Sequence, residues 1–370
     1  MVHGSGDRAQ KDCIHMTKLT KPSSILTLFL GGGGLFLIIF GLKNAASIVS
    51  PILLAGIIAV TVAPIIGWLM GKGVPAWLAL LLTIALLIGL ILGFVLLLEG
   101  SASRLIATLP QYAESLDSQQ EAVEAKLESL GLGGSQGLSV PKLDSETMMG
   151  FLGSLLEGII SALSGVFIMI IVLIFALLAV PRYPNMLKTE FPDSPPVLQR
   201  FSNLAEDLRQ YVATTTGVNL LVGLVDVVFL VILGVDFALL WGLLAFLLGY
   251  IPALGFWLAL IPPFLLALAE FGPSTALIVL VGYILINGGV ENFVEPRLMG
   301  RSINLPPIVV VLSLIFWGWV LGPLGALLSV PMTVMVRDLV LVAFDDSQGV
   351  AKLLSGGLSP TEEASGDAGS

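Results

Sequence analysis

Charged residues are scarce in this sequence. Asp, Glu, Lys and Arg make up 12% of its 370 residues, whereas hydrophobic residues make up 56%. Soluble globular domains carry about 25% charged residues. The scarcity of charge excludes water as the main solvent of the fold and predicts an integral membrane protein.

Cysteine and histidine are also nearly absent. The single cysteine, Cys13, excludes an intrachain disulfide, and together with His3 and His15 it lacks the spacing of a zinc site. We therefore predict no metal and no cofactor. The net charge of −9 comes from acids clustered in residues 99–150 and near the C-terminus, so we expect no nucleic-acid partner.

Several enzyme motifs are missing from the sequence. It contains no GxxxxGK[ST] phosphate loop and no HExxH, motifs that are typical of ATP-driven transport and of zinc hydrolases respectively. An intramembrane aspartyl enzyme needs paired aspartates, and Asp226 has no clear second one at the same depth. The sequence therefore predicts a protein that is not an enzyme and is not driven by ATP.

Long apolar runs make up most of the remaining chain. A spanning helix needs about 20 such residues. Single crossings are predicted at 25–42, 48–70, 76–98, 159–180, 217–235 and 271–289, and two crossings at 237–269. The last apolar stretch, 308–336, is too long for one untilted helix and is interrupted at Gly322 and Pro323. The predicted fold is an all-α polytopic membrane protein with about eight transmembrane helices and with proline/glycine-broken or re-entrant segments in its C-terminal half.

Basic residues predict the orientation, because loops rich in Lys and Arg stay in the cytoplasm. The predicted order is a cytoplasmic leader (1–24), three transmembrane helices (25–98), an external amphipathic segment (99–150), a fourth transmembrane helix (151–181), a cytoplasmic amphipathic helix (182–212), a transmembrane core with broken helices (213–342) and a cytoplasmic, disordered tail (343–370).

Two connecting segments have helical periodicity. In the external segment the apolar residues are Leu105, Leu109, Tyr112, Leu116, Val123, Leu127 and Leu130. We expect this face to lie against the membrane surface or a sister subunit, and the alternative is a solute-capturing lid. In the inner segment the apolar residues are Val197, Phe201, Leu204, Leu208 and Tyr211, which predict an amphipathic helix that leads directly into the fifth span. The external helix and residues 31–34, all glycine, favour a homo-oligomer.

Asp226 lies in the middle of the fifth span, where an ionisable group is costly unless it has a function or a partner. The functional interpretation is a titrating carboxyl for which a proton and a cation compete, as in an antiporter. The structural interpretation is a protonated carboxyl that is hydrogen-bonded between helices. Glu270 precedes Phe271-Gly272-Pro273 at a predicted helix end and is expected at the membrane interface instead.

A second group of polar residues lies at the end of the helix predicted at 271–289 and just after it. Its members are Asn287, Glu291, Asn292 and Glu295. Positions 287, 291 and 295 share one face of a continuous helix because they are four residues apart. We predict that this group lines the transport path. The alternative is an exposed helix end whose carboxylates pair with Arg297 and Arg301.

Two interruptions of long apolar runs form a weak internal repeat. The first contains Gly249, Pro252 and Gly255 and is followed by Pro262; the second contains Gly322, Pro323 and Gly325 and is followed by Pro331. Because broken helices in membranes are tolerated where they line a wet cavity, we predict that the pathway runs between them. The alternative is that both are loops at the membrane surface.

Three stretches together resemble one known family. They are PILLA at 51–55 with PIIGWL at 64–69 and GVP at 73–75; GYIP at 249–252 with Gly255, Pro262 and Pro263; and ENFVEPRLMG at 291–300 with LP at 305–306 and GPLGALLSVP at 322–331. The chain resembles the AI-2E (autoinducer-2 exporter) family of bacterial and archaeal membrane transporters from about residue 22 to 337. Asp226 departs from the family pattern, which has an apolar or small residue there.

The resemblance implies export of autoinducer-2 for some members and sodium/proton antiport for others. We therefore predict a secondary, gradient-driven transporter in the cell membrane of a prokaryote, in contact with membrane lipid, that exports a small polar solute similar to autoinducer-2. The alternatives are a sodium/proton antiporter, a channel and a non-transporting membrane scaffold.

Overall fold

The structure is a computed structural model that describes residues 24–129, 145–163, 165–179, 195–294, 297 and 305–343. These residues form helices, turns and no strands. The helices are α1 (Ser24–Asn44), α2 (Ala46–Gly71), α3 (Ala76–Ser129), α4 (Ser145–Leu163), α5 (Val166–Ala179), α6 (Pro195–Leu233), α7 (Ala238–Leu248), α8 (Gly255–Phe271), α9 (Pro273–Gly289), a π-helical turn (Val290–Val294), α10 (Pro307–Leu321), α11 (Pro323–Leu327) and α12 (Ser329–Ala343). Most of the predicted leader and all but one residue of the predicted tail lie outside the described residues.

The first helix, α1, belongs to a unit of its own, residues 1–45, and the other helices belong to a second unit, residues 46–370. In α1 the apolar side chains from Leu35 to Phe40 are mostly exposed. An exposed apolar surface of this kind is typical of a helix that is surrounded by lipid.

The second unit contains a small cluster formed by α2, the start of α3 and α5. Its buried members are Ala55, Ala59, Ile66, Ala79, Met169, Leu173 and Leu177. Gly165 packs so closely on α2 that an added Cβ would lie 2.6 Å from Cγ of Pro51. The chain turns at this contact, so the region predicted as one fourth transmembrane helix contains two helices, α4 and α5.

The helix α3 has 54 residues and is about 80 Å long. It continues from the third apolar run into the predicted external segment without a break. The apolar face of its second half is buried within the chain itself, at Leu105, Leu109 and Leu116. The expectation that this face lies on the membrane surface or on another subunit is therefore wrong for these three residues, because α7 and α8 cover them.

The helix α6, with 39 residues, is also longer than one membrane crossing. Its first part contains the amphipathic stripe, and Leu204 and Leu208 pack against Val334 of α12. Its second part contains the apolar run with Asp226. The structure thus joins the amphipathic helix and the predicted fifth span in one continuous helix.

The helices α7 and α8 form a hairpin that packs on α6. Gly223 of α6 lies against Gly242 of α7, and Asn219 lies against Gly249 at the end of α7, so the two helices are antiparallel. With 11 residues, α7 is about 16 Å long, which is half of the hydrocarbon thickness of about 30 Å. The region 237–269 thus contains one short and one longer helix, and the two full crossings expected there stay a prediction.

A second hairpin is formed by α10 and α12, with the short α11 at its tip. The turn begins at Gly322, which has φ of 72°, and the Trp317 indole N–H donates to Thr333 Oγ1 at 3.0 Å, joining the two arms. Both helix breaks lie at the interruptions that the sequence predicts. They reverse the chain because glycine adopts positive φ, or tolerates close backbone contact, at low cost.

Four of the described helical segments have the length and composition of a membrane span: Ala46–Gly71, Ala76–Gln119, Ser202–Leu233 and Pro273–Val294. Five further apolar helices are shorter. The protein is thus an all-α polytopic membrane protein, and the count of eight full crossings stays a prediction.

Candidate functional site

A cavity of about 830 Å³ lies in the second unit between α6, the tip of the α7–α8 hairpin and the end of α9. Residues from α10 and α12 close another side. The lining residues are Tyr211, Thr215, Val218, Asn219, Val222, Asp226, Ala245, Gly249, Tyr250, Ile251, Pro252, Ala253, Gly255, Phe256, Trp257, Ala259, Ile284, Asn287, Gly288, Glu291, Leu305, Val310 and Val330. The cavity is large enough for a small solute with some water.

One face of α6 supplies the polar wall of this cavity. Thr215, Asn219 and Asp226 lie four and seven residues apart, and this spacing places them on the same side of a helix. Their exposed fractions are 9%, 7% and 0%. The apolar residues Leu224 and Val231, on other faces of α6, are more than half exposed, as expected for positions that contact lipid.

Asp226 is the most deeply buried charged residue of the described chain, with no exposed surface. Neither carboxyl oxygen has a hydrogen-bond partner among the described residues. The neighbouring group is the Tyr283 hydroxyl, which also lacks a hydrogen-bond partner among the described residues. It lies close enough to Asp226 for an electrostatic interaction between the two groups. No described residue supplies the hydrogen bond that the structural interpretation of Asp226 expects. An ionised carboxylate in such surroundings is costly unless a cation, water or polar solute reaches it.

The hairpin tip forms the wall opposite α6. At Gly249 an added Cβ would lie 2.6 Å from Oδ1 of Asn219, and at Gly255 it would collide with the Leu248 carbonyl. Ala253 has φ of 62°, a left-handed conformation that is unfavourable for alanine. The Tyr250 hydroxyl bonds to Thr216 Oγ1 at 2.6 Å and ties the tip to α6. The tip is therefore closely fitted to α6.

The end of α9 supplies the third wall. Asn287 and Glu291 both line the cavity, as the four-residue spacing predicts. A π-helical turn begins at Val290, and π turns within helices are frequent at functional sites. Asn292 is exposed, does not line the cavity and donates through its Nδ2 to the Gly288 carbonyl at 2.7 Å. Glu295 lies outside the described residues.

The two predicted interruptions differ in their relation to the cavity. Gly249, Pro252 and Gly255 line it, whereas Pro262 is buried within α8 away from it. Of the second interruption, neither Gly322, Pro323 and Gly325 nor Pro331 lines it. The second hairpin contributes Val310 and Val330 instead. Its tip approaches α2, where the Ser50 hydroxyl donates to the Leu321 carbonyl at 3.1 Å.

Polar contacts also hold the bundle beyond both ends of the cavity. At the predicted outer end, the Tyr112 hydroxyl of α3 donates to Asp236 Oδ2 at 2.8 Å, and Glu270 lies beside Asp236. At the predicted inner end, Arg337 of α12 lies 4.0 Å from Asp207 of α6. These contacts join α6 and the two hairpins to their neighbours.

Arg209 makes a less common contact near the predicted inner end. Pro64 has no N–H, so the Val60 carbonyl four residues earlier in α2 receives no helical hydrogen bond. The Arg209 Nε–H donates to this carbonyl at 2.9 Å, and its Nη1 lies 3.1 Å from Glu206. The side chain thus satisfies a backbone group that the proline leaves free.

The sequence reasoning missed Thr215, Asn219 and Tyr283. Polar residues at seven and eleven positions before Asp226, on the same helix face, were the available signal for the first two. Tyr283 has no such signal, because its proximity to Asp226 depends on how α9 packs on α6. Within the described ranges, no group of three or more His, Cys, Asp or Glu residues could hold a metal ion.

Comparison with known proteins identifies the family. The model of the AI-2E family transporters matches residues 27–344. The chain belongs to the AI-2E transporter family. It is similar to the AI-2 transport protein TqsA of Escherichia coli K12, with 36% identity over 87% of this chain and 94% of the relative.

Two further relatives agree with this assignment. A putative transport protein of Haemophilus influenzae is 33% identical over 87% of this chain and 93% of its own length. The putative transport protein YhhT of Escherichia coli K12 is 28% identical over 86% and 90%. Membership of the AI-2E family and these relatives make the protein a multi-pass membrane transporter, and the cavity is the natural candidate for its site.

Proposed function

We propose that this protein is a secondary transporter that exports a small polar solute, with Asp226 as the residue that couples export to an ion gradient. The observation that supports this proposal most is that Asp226 is fully buried, has no hydrogen-bond partner among the described residues and lines the cavity. In such a place the carboxyl is stable when it is neutral or when a cation neutralises it. A carboxyl that must bind either a proton or a cation can exchange one for the other during transport.

The polar lining supports a solute path at the same place. Asn287 and Glu291 lie on the wall formed by α9 and the π-helical turn, and the broken helix at Gly249 lies on the opposite wall. Broken helices supply free backbone groups at membrane depth. Autoinducer-2 is the first cargo to test, because the relative TqsA is named an AI-2 transport protein.

Flux measurements in proteoliposomes with an internal pH indicator test this proposal. A gradient of autoinducer-2 should drive saturable proton movement, or a proton gradient should drive accumulation of autoinducer-2. Proton movement that depends on sodium alone would support the sodium/proton antiporter instead. Solute flux without saturation and without ion coupling would indicate a channel, and no flux of any kind would contradict a transport role for Asp226.

We propose the orientation that the basic residues favour, with both termini in the cytoplasm, in a prokaryotic cell membrane. In a Cys13→Ser background, single cysteines at Ser118 and Ser194 should react with impermeant thiol reagents from opposite sides of the membrane. Reaction from the same side would contradict this topology.

We also propose a homo-oligomer. The glycines at 32–34 in α1 have open space around the Cβ position, so another helix can approach closely there. Native mass spectrometry from mild detergent should give a multimeric mass, and a monomer at working concentration would count against assembly.

A further inference from the structure

Two uncharged polar side chains of α6 that line the cavity each have a buried atom without a hydrogen-bond partner among the described residues. Thr215 Oγ1 and Asn219 Nδ2 are buried and have no partner within the described part of the chain. A buried donor without a partner costs about 1–3 kcal/mol. Native proteins rarely tolerate such groups without water, an ion or a ligand at the site. Two of them, four residues apart on one helix face, indicate a place that something else occupies.

Asn219 is held in position by the hairpin tip. Its amide lies over Gly249, where an added Cβ would be 2.6 Å from Oδ1 and 2.8 Å from Nδ2. Only glycine leaves space for the amide at this point. The Thr216–Tyr250 hydrogen bond lies beside it and fixes the same part of the tip to α6. The amide is therefore preorganised, which lowers the entropy cost of binding.

These two residues are well separated from the carboxyl group. Asn219 and Asp226 are seven residues apart, or about 10 Å along the axis of α6, and Thr215 is one turn further away. A single ion cannot contact both ends of this row. The cavity nevertheless reaches both, since all three residues line it.

The chemistry of the two ends also differs. The buried Nδ2 of Asn219 donates to an oxygen acceptor, and neither Asn219 nor Thr215 carries the negative charge that Asp226 offers to a cation. Thr215 can donate or accept. An anionic ligand is disfavoured, because Asp226 and Glu291 line the same cavity.

We propose that Thr215 and Asn219 form a binding subsite for the hydroxyl or carbonyl oxygens of an uncharged solute, separate from the ion site at Asp226. This inference rests on the proposed transport function and deepens it. The solute and the coupling ion then occupy different parts of one cavity, and the solute lies between Asn219 of α6 and Gly249 of the α7–α8 tip.

Isosteric substitutions test the subsite. Thr215→Val and Asn219→Leu keep the size of the side chain and remove the hydrogen bond, Thr215→Ser keeps the hydroxyl, and Val231→Thr is the control on an exposed face of α6. The measurement is uptake of autoinducer-2 into everted membrane vesicles at several concentrations and pH values.

We expect the half-saturating concentration to rise by about 10-fold for Thr215→Val and for Asn219→Leu, as for the loss of one hydrogen bond to a buried group. The maximal rate and the pH dependence should be nearly unchanged. Val231→Thr should behave like the wild type, and Thr215→Ser, which keeps the hydroxyl, should have a lower half-saturating concentration than Thr215→Val. Wild-type half-saturation in both isosteric variants would overturn the subsite, even if transport itself is proton-coupled.

A labelling experiment decides the subsite if autoinducer-2 is not transported at all. In the Cys13→Ser background, Asn219→Cys should react with a small hydrophilic methanethiosulfonate reagent, because the position faces a polar cavity. Val231→Cys should stay unreactive with this hydrophilic reagent, because Val231 lies on a face of α6 that is expected to contact lipid. An unreactive Asn219→Cys in folded, monodisperse protein would overturn the proposal, whereas failure of autoinducer-2 transport alone overturns only the proposed cargo.

Discussion

Asp226 and Asp236 are ten residues apart in sequence and have opposite environments. Asp236 accepts the Tyr112 hydroxyl at 2.8 Å, and its backbone carbonyl accepts the Trp241 indole N–H at 3.0 Å. Asp226 has no exposed surface and no hydrogen-bond partner among the described residues. One aspartate is used to join helices, and the other is left available to a ligand.

The difference between the two aspartates extends to other polar groups in apolar surroundings, some of which have hydrogen-bond partners and some of which do not. Several groups at the ends of the bundle have partners, including the Val60 carbonyl, which Pro64 leaves free and which accepts from Arg209. Among the described residues with an unpartnered buried polar atom, Thr215, Asn219 and Asp226 line the cavity, whereas Glu270, Tyr283 and Ser329 do not. Because an unpartnered buried group lowers stability, its presence at the cavity indicates a function there.

The largest effect is expected from Asp226→Asn. The amide keeps the shape of the carboxyl but cannot titrate, so transport driven by a pH gradient should fall to background. The melting temperature in detergent should change by less than about 3 °C, since no hydrogen bond is lost. Asp236→Asn is the matched control and should keep the wild-type pH profile. A wild-type rate and pH profile for Asp226→Asn would make that carboxyl structural and direct attention to Glu291.

The second largest effect is expected from Gly249→Val. The new side chain collides with the Asn219 amide, and overpacking of this kind costs about 1–3 kcal/mol. We expect a loss of transport together with a lower melting temperature. Gly89→Ala is the control, because Gly89 in α3 has nothing within 4 Å of an added Cβ. If Gly249→Val transported normally, the contact between the tip and α6 would not matter for the site.

A smaller effect, on stability alone, is expected for Arg209 and Pro64. Arg209→Met leaves the Val60 carbonyl without its donor and should cost about 1–2 kcal/mol. In a Pro64→Ala background the helix supplies its own N–H to that carbonyl, so the same Arg209→Met substitution should cost clearly less.

Thermal unfolding of the four proteins of this double-mutant cycle measures the coupling. Equal costs of Arg209→Met in both backgrounds would show that the Arg209–Val60 hydrogen bond contributes nothing. Arg209→Lys is a useful addition, because it keeps the charge next to Glu206 without the planar guanidinium.

The smallest effect is expected from Tyr112→Phe. The lost hydrogen bond to Asp236 is solvent-exposed, so the cost should be no more than about 1 kcal/mol. Transport rate and pH dependence should be unchanged, as measured in the same proteoliposomes. A changed pH profile would mean that Asp236 also takes part in coupling and that the two aspartates are less different than their environments indicate.

The sequence by itself determined the membrane class, the helical fold, both helix breaks and the position of Asp226 inside an apolar helix. It also determined that Asn287 and Glu291 share a helix face. These features depend on local composition and on spacing along one helix, which a single sequence contains. The family resemblance from residue motifs is likewise a property of the sequence.

Only the tertiary structure decided how polar groups are paired across the chain. Tyr112 and Asp236 are 124 residues apart, and Arg209 and Val60 are 149 apart, so no local pattern predicts these contacts. The same holds for the length of α7, for the burial of Leu105 beneath the hairpin, and for the absence of the second hairpin's tip from the cavity lining. The surfaces of membrane helices are largely apolar on every side. Their packing depends on small residues such as Gly223 and Gly242, which come into contact only in the folded bundle.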